Sequence, residues 1–255
     1  MKVVILAGGF GTRLAEETVA VPKPMVQIGQ HPILWHIMKF YASYGFEEFV
    51  VALGYKSEVV KNFFLQFADM ASDLTIDLGT GVVKRRRNHE ETWKIHLIDT
   101  GLDTLTGGRL RRLAPLIKGA TFMLTYGDGV ADVPLDRLMA FHKSQGKLAT
   151  VTAVPALARF GNIIFDGDRV TNFAEKRVTE NAWINGGYMV MEPGVLDYLT
   201  KDEDVLEIDL LERLTHDGQL AAYRHEGFWQ CMDTLRDKHG LERLWLSGSP
   251  PWKRW

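Results

Sequence analysis

The chain opens on an unbroken apolar run, Lys2-Val3-Val4-Ile5-Leu6-Ala7, that passes straight into Gly8-Gly9-Phe10-Gly11-Thr12-Arg13. A short run with no polar alternation marks a strand covered on both faces, and such strands belong to parallel sheets with helices above and below. A glycine-rich loop leaving that strand lets backbone N–H groups approach an anion without an intervening Cβ, and Arg13 adds a fixed positive charge. Further on, Pro22-Lys23-Pro24-Met25 places a second cation between two prolines that restrict the backbone around it. Taken alone, the loop fits a phosphate cradle and an ordinary tight turn equally well. It is not a dinucleotide fingerprint, because the third glycine position counted from Gly9 and Gly11 is Leu14. No Gly-Lys-Ser/Thr follows, which excludes a P-loop.

Apolar segments alternate with helical ones along the rest of the chain. Pro32 to Tyr44 reads as a helix with Ile33, Ile37, Phe40, Tyr41 and Tyr44 on one face and Gly45 as its stop. Glu48 to Leu53 is the next buried strand, and Ser57 is placed to cap a helix through Phe64. Strand, helix, strand in this order implies parallel pairing with right-handed crossovers. Residues 73–100 break the pattern: short β-prone pieces joined by Gly79-Thr80-Gly81 predict an extended β arm. Thr104 to Gly108 leads into a helix with Leu110, Leu113 and Ile117 inward and Arg109, Arg111 and Arg112 available to anions. Thr121 to Tyr126 is a further buried strand whose end delivers Gly127-Asp128-Gly129, the place where open α/β sheets gather ligands. An Asp in a glycine-flanked turn is also common without any function. Strands follow at 149–154, 163–165, 170–173, 187–191 and 219–224, and helices at 207–216 and 234–246. The tail, residues 247–255, cannot be helical at Pro250 and Pro251 and carries Trp252 and Trp255 to dock on the body or on a neighbour.

At 255 residues the chain is long enough for one large core, and a single domain spanning 1–255 is expected. The 24% of charged residues is an ordinary globular share and excludes a disordered chain. No apolar run reaches the length of a membrane span and no secretory pattern opens the chain, so a cytoplasmic protein is expected. Cys231 is the only cysteine, which excludes an internal disulfide and argues against a thiolate metal site. The net charge of −2 speaks against nucleic acid as a partner despite Lys84-Arg85-Arg86-Arg87, which reads as a solvated face or a subunit contact. His31, His36, His142 and His225 lack metal-ligand spacing and read as core or surface residues.

The stretch from Leu6 to Leu14 followed by Pro22-Lys23-Pro24-Met25 resembles the signature of the sugar-1-phosphate nucleotidylyltransferases. Pro32 to Met38, Thr106-Gly107-Gly108-Arg109-Leu110, Thr125 to Asp132, and Gly227 to Gln230 with Met232 to Asp237 resemble, more narrowly, the branch that joins CTP to glucose 1-phosphate. The resemblance runs from end to end. It implies a Rossmann-like, mixed but mostly parallel sheet flanked by helices, of the nucleotide-diphospho-sugar transferase type, with the β arm as an insertion that helps subunits assemble. It implies Mg²⁺ held on the α-phosphate by Asp128 and Asp233, with Arg13 neutralising pyrophosphate and Lys23 bridging the reacting phosphates. The nucleotide then lies along Leu6, Ala7, Gly8, Gly9, Phe10, Gly11, Thr12 and Arg13, with Thr104, Arg109 and Gly127 completing the contacts. Gly161, Glu175, Lys176, Asn185 and Gly186 resemble the sugar half: Lys176 for the incoming phosphate, Glu175 for the hydroxyls, the glycines to admit the ring. CTP and a sugar 1-phosphate are the implied partners, together with further copies of the chain, a hexamer by resemblance. A membrane partner is not expected.

Where the family carries proline after Glu-Lys this chain has Arg177, which leaves a related transferase acting on another sugar phosphate as an alternative. A non-catalytic nucleotide-sugar sensor on the same scaffold is a second alternative, but binding alone does not require both Asp128 and Asp233.

Overall fold

Lys2–Leu6 forms β1, an interior strand of a seven-stranded sheet, with Val3, Val4 and Ile5 fully buried. The computed structural model describes residues 1–87, 91–157, 162–174 and 178–255, with backbone alone at Arg13, Ala15, Arg87, Leu157, 162–166, 172–174 and 178–181. The other strands of the sheet are β2 (Glu48–Leu53), β3 (Lys94–Asp99), β4 (Phe122–Tyr126), β5 (Ala149–Leu157), β6 (Val178–Met191) and β7 (Leu220–Arg224). Their spatial order is β7-β5-β6-β4-β1-β2-β3, and only β6 runs against its neighbours. The sheet is therefore mixed and mostly parallel.

Because side chains alternate along a strand, each buried strand feeds two cores. Val3 and Ile5 of β1 with Phe49 and Val51 of β2 meet α1 (Ile33–Ala42), whose Ile33, Leu34, Ile37, Met38, Phe40 and Tyr41 are all buried. Val4, Leu6, Val50 and Ala52 face the opposite core with Leu110 and Leu113. Pro32 caps α1 from outside the helix, and the chain turns at Gly45 with φ +82°. No helix among the described residues is long and apolar enough to cross a membrane.

Four elements differ from the sequence expectation. The second helix, α2, runs Ser57–Met70 and not to Phe64; Ser57 does not cap it, because Lys56 takes the cap position at φ 51° without a side-chain bond. Nothing from Leu65 to Met70 breaks a helix, and the cost is that Leu65 and Met70 lie exposed. The arm is shorter than residues 73–100: Ser72–Asp77 and Val82–Arg87 pair as an antiparallel hairpin, whereas Lys94–Asp99 pairs in parallel with β2 as the edge of the large sheet. Residues 206–212 form a π-helical turn before the short α-helix Arg213–His216. Finally, Arg111 and Arg112 of α3 (Thr106–Arg112) are not free for anions, since both bond the Asp202 carboxylate.

The tail docks on the body. Trp252 is fully buried, stacked on Phe228 at 5.7 Å, and its indole N–H points at His36 Nδ1 from 3.5 Å. His36 Nε2 lies 2.9 Å from the Ile28 carbonyl, so the neutral tautomer with its proton on Nε2 satisfies both contacts. Burial pushes the imidazole down to about 4 from 6.5. Between those values the unfolded chain binds the proton and the folded chain does not, so this contribution to stability is full above 6.5 and lost as pH falls. A shift of this size corresponds to roughly 3 kcal/mol. Urea melts of wild type and His36→Gln at neutral pH and near pH ~4 check it: the gap between the two proteins narrows on acidification, and a constant gap would remove His36 as the cause.

Candidate active site

The carboxyl ends of β1 and β4 open into a cleft of about 500 Å³. The strand order reverses here, with β2 and β3 on one side of β1 and β4 on the other, so the loops above the two strands diverge and leave a crevice. Leu6, Gly9, Phe10, Gly11, Lys23, Thr104, Arg109, Gly127 and Asp128 line it, all of them expected from sequence. A smaller pocket of about 40 Å³ shares Tyr126 and Asp128 with the cleft and is closed by Asn185, Gly186, Gly187, Trp229 and Cys231.

The loop after β1 is held from behind. The Ala7 N–H donates to the Ala52 carbonyl, and the Gly8 carbonyl accepts from the Tyr55 N–H at 3.1 Å and from Arg109 Nη2 at 3.0 Å. A Cβ on Gly8 would lie 2.3 Å from Arg109 Nη1, so only glycine admits the guanidinium there. Thr18 Oγ1 donates to the Gly11 and Leu14 carbonyls and closes the far side of the loop, where Gly11 sits at φ +67°. Ala7 and Gly8 thus lie behind the cleft, whereas Thr12 opens onto a neighbouring depression with Thr18 and Tyr55. The Arg13 side chain lies outside the described residues, as do Gly161, Glu175 and Lys176.

Arg109 has a different setting from the open anion site expected of it. Its Nη1 bonds the Leu53 carbonyl, Thr100 Oγ1 and the Gly101 carbonyl, and its Nη2 bonds the Gly8 and Leu102 carbonyls. One guanidinium therefore ties together the chain leaving β1, β2 and β3. These bonded partners are all neutral, so its positive charge remains at the floor of the cleft, and burial lowers its pKa.

Lys23 stands on the 3₁₀ turn Lys23–Met25, with its Nζ 2.6 Å from Asp128 Oδ2 and 2.6 Å from Asp233 Oδ1. The two acids are far apart in sequence and meet because Gly129–Ala131 pairs with Trp229–Cys231, Gly129 facing Cys231, while the Met232 N–H donates to the Asp128 carbonyl. Asp233 is then fixed at the start of α4 (Leu235–Leu246), where Thr234 and Asp237 form a capping box and Asp237 also accepts from the Asp233 N–H. Burial alone would lower the Lys23 ammonium, but the charges and hydrogen bonds of Asp128 and Asp233 outweigh it and leave its pKa raised. The same burial and acids push the Cys231 thiol up to about 12, so it is not a nucleophile.

Each of the two carboxylate oxygens lies 2.6 Å from the same Nζ, so both acids face one point of positive charge. Hard oxygen donors in a pair, with no group of three or more metal-binding side chains among the described residues, fit an ion that keeps positions open for water and phosphate. On the other side of Asp128, the Asn185 Oδ1 accepts from the Gly187 N–H at 2.9 Å and the Trp229 indole donates to the Gly186 carbonyl at 2.7 Å. Tyr126, Thr106 and Trp229 fall within the motifs quoted above but were not anticipated as site residues. Tyr126 could have been, as the last residue of a buried strand directly before Gly127-Asp128.

The nucleotidyl transferase profile matches residues 2–237. The chain belongs to the nucleotidyl transferase family. This nucleotidyl transferase is 46% identical over 256 residues to the glucose-1-phosphate cytidylyltransferase of Salmonella typhi, with 100% of each chain covered. It is 44% identical, again with 100% of each chain covered, to a Bacillus subtilis (strain 168) protein named "Probable glucose-1-phosphate cytidylyltransferase". Among solved structures, HddC from Yersinia pseudotuberculosis superposes with a TM-score of 0.69 at 21% identity, covering 96% of this chain and 99% of that one. That likeness concerns the fold.

Proposed function

We propose that the chain transfers the cytidylyl group of CTP to α-D-glucose 1-phosphate, forming CDP-glucose and pyrophosphate. The full-length identity to glucose-1-phosphate cytidylyltransferases carries the reading, and the cleft supports it. A phosphate oxygen of the sugar attacks the α-phosphorus, a new P–O bond forms, and the bond to the β-phosphate oxygen breaks. Both reactants are anions, so the protein's task is positioning and charge neutralisation.

Leu6 to Arg13, Thr104, Arg109 and Gly127 hold the nucleotide in this reading, with Arg109 acting mainly through the loop it braces. Asp128 and Asp233 hold a divalent cation, Mg²⁺, whose chemistry when bound is to neutralise charge on the α-phosphate. Arg13 takes the pyrophosphate and Lys23 reaches the reacting phosphates. Gly161, Glu175, Lys176, Asn185 and Gly186 take the sugar phosphate. We assign the enzyme to the cytoplasm and to deoxysugar supply for bacterial surface polysaccharide. Self-association, as a hexamer in the family pattern, belongs to the same reading; the hairpin at 72–87 leaves Leu74, Ile76, Leu78, Val82 and Val83 exposed, more apolar surface than a solitary hairpin keeps without a partner.

Pyrophosphate release with Mg²⁺ tests the proposal, with CTP, UTP, dTTP, ATP and GTP each offered against glucose 1-phosphate. Release with CTP alone is expected. Release only with another sugar 1-phosphate would move the assignment to the related transferase that Arg177 leaves open, and silence throughout would favour a sensor.

A further inference from the structure

Tyr126 stands where the two pockets meet. Its ring lines both the 500 Å³ cleft and the 40 Å³ pocket, and Asp128 lies two residues on. Gly187, at φ +79°, rests against the ring so closely that a Cβ there would lie 2.7 Å from Tyr126 Cδ2. The phenol O–H donates to the Glu207 carboxylate.

Glu207 reaches this position from the π-helical turn Leu206–Glu212. Such turns insert an extra residue and recur at functional sites because they re-aim one side chain. The turn is anchored to the cleft wall: the Leu206 N–H donates to Thr106 Oγ1 at 2.9 Å, and the Gly107 and Gly108 N–H groups donate to the Asp204 carbonyl. Thr106 itself lines the cleft. The brace therefore joins the nucleotide wall, the partition and the turn at Gly187 into one rigid piece.

We propose that Glu207, acting through its hydrogen bond to Tyr126, locks that ring as the partition between nucleotide and sugar phosphate and so sets the spacing at which the two substrates meet. The inference rests on the nucleotidyl-transfer reading, since it requires two substrates on the two sides of the ring. In-line transfer tolerates little misplacement of the reacting atoms, so a loosened partition costs turnover more than it costs binding. Tyr126 touches substrate, and Glu207 is a positioning residue.

Steady-state kinetics of Tyr126→Phe, Glu207→Ala, Glu207→Gln and the Tyr126→Phe/Glu207→Ala pair, with both substrates varied, provide the test. Each of the first two variants is expected to lower kcat about fivefold with KM for CTP nearly unchanged. The double variant should be no slower than Glu207→Ala, which already removes the Tyr126 bond together with the 3.4 Å bond that Thr106 Oγ1 donates to the other carboxylate oxygen. Glu207→Gln, whose amide oxygen still accepts from the phenol, should recover most of the rate. Full kcat in both single variants, or losses that multiply in the double variant, would overturn the inference. A wild-type protein silent with every nucleotide and sugar phosphate would overturn it by a separate route, through the reaction itself.

Discussion

Asp128→Asn and Asp233→Asn are each expected to lower kcat by two to three orders of magnitude, on the order of 10²–10³, while thermal melting stays close to that of wild type. Asparagine keeps the shape of the side chain, and its amide oxygen can still accept from the Lys23 ammonium that lies 2.6 Å from each acid. The strand pair that brings the acids together is made by backbone pairing and does not depend on their charge. In the proposed reaction what is lost is a hard anionic ligand, and a divalent cation held by one carboxylate would bind less tightly and be less well placed. Mn²⁺ binding to the free protein, followed by electron paramagnetic resonance, separates the two effects. Weakened Mn²⁺ binding together with slow turnover supports a shared metal site, and wild-type rates in both variants would sink it.

The local features were legible in the sequence, and the long-range ones were not. The β1 run and its glycine loop follow from adjacent residues, so a buried strand in a parallel sheet that opens into a glycine loop could be read directly. The meeting of Asp128 with Asp233 depends on two three-residue strands, Gly129–Ala131 and Trp229–Cys231, too short to show any periodicity. Only the resemblance to known motifs put the two acids together. The pieces at 72–77, 82–87 and 94–99 are equally β-prone, and composition cannot say that the last of them joins the large sheet while the others form the arm; that is decided by an open edge on β2. Arg109 shows the same limit at one residue. The sequence places a cation beside a phosphate loop, but its contacts depend on three strand ends that converge only in the folded chain.

Lys23→Met is expected to be the other severe lesion, with kcat/KM down on the order of 10²–10³, because in the proposed reaction Lys23 joins the acids to the reacting phosphates. It differs from the aspartate variants in stability. Methionine keeps the apolar stem but leaves two carboxylates facing each other without the ammonium between them, a like-charge pair in a site where Lys23 and Asp233 are each only 13% exposed. In the wild type the raised Lys23 pKa means that the ammonium's contribution is fully present below its ordinary value of 10.5 and lost only as pH rises through the higher folded value. At neutral pH the variant therefore forfeits all of it, about 1–3 kcal/mol after allowing for the partial exposure of Asp128. If the ammonium and the metal serve the same two acids, Mg²⁺ stabilises the variant more than the wild type, since in the variant nothing has to be displaced before the ion binds. Thermal melts of both proteins with and without Mg²⁺ measure that difference. Equal shifts would mean that Lys23 and the metal occupy separate places, and the role of Lys23 would then be confined to the phosphates.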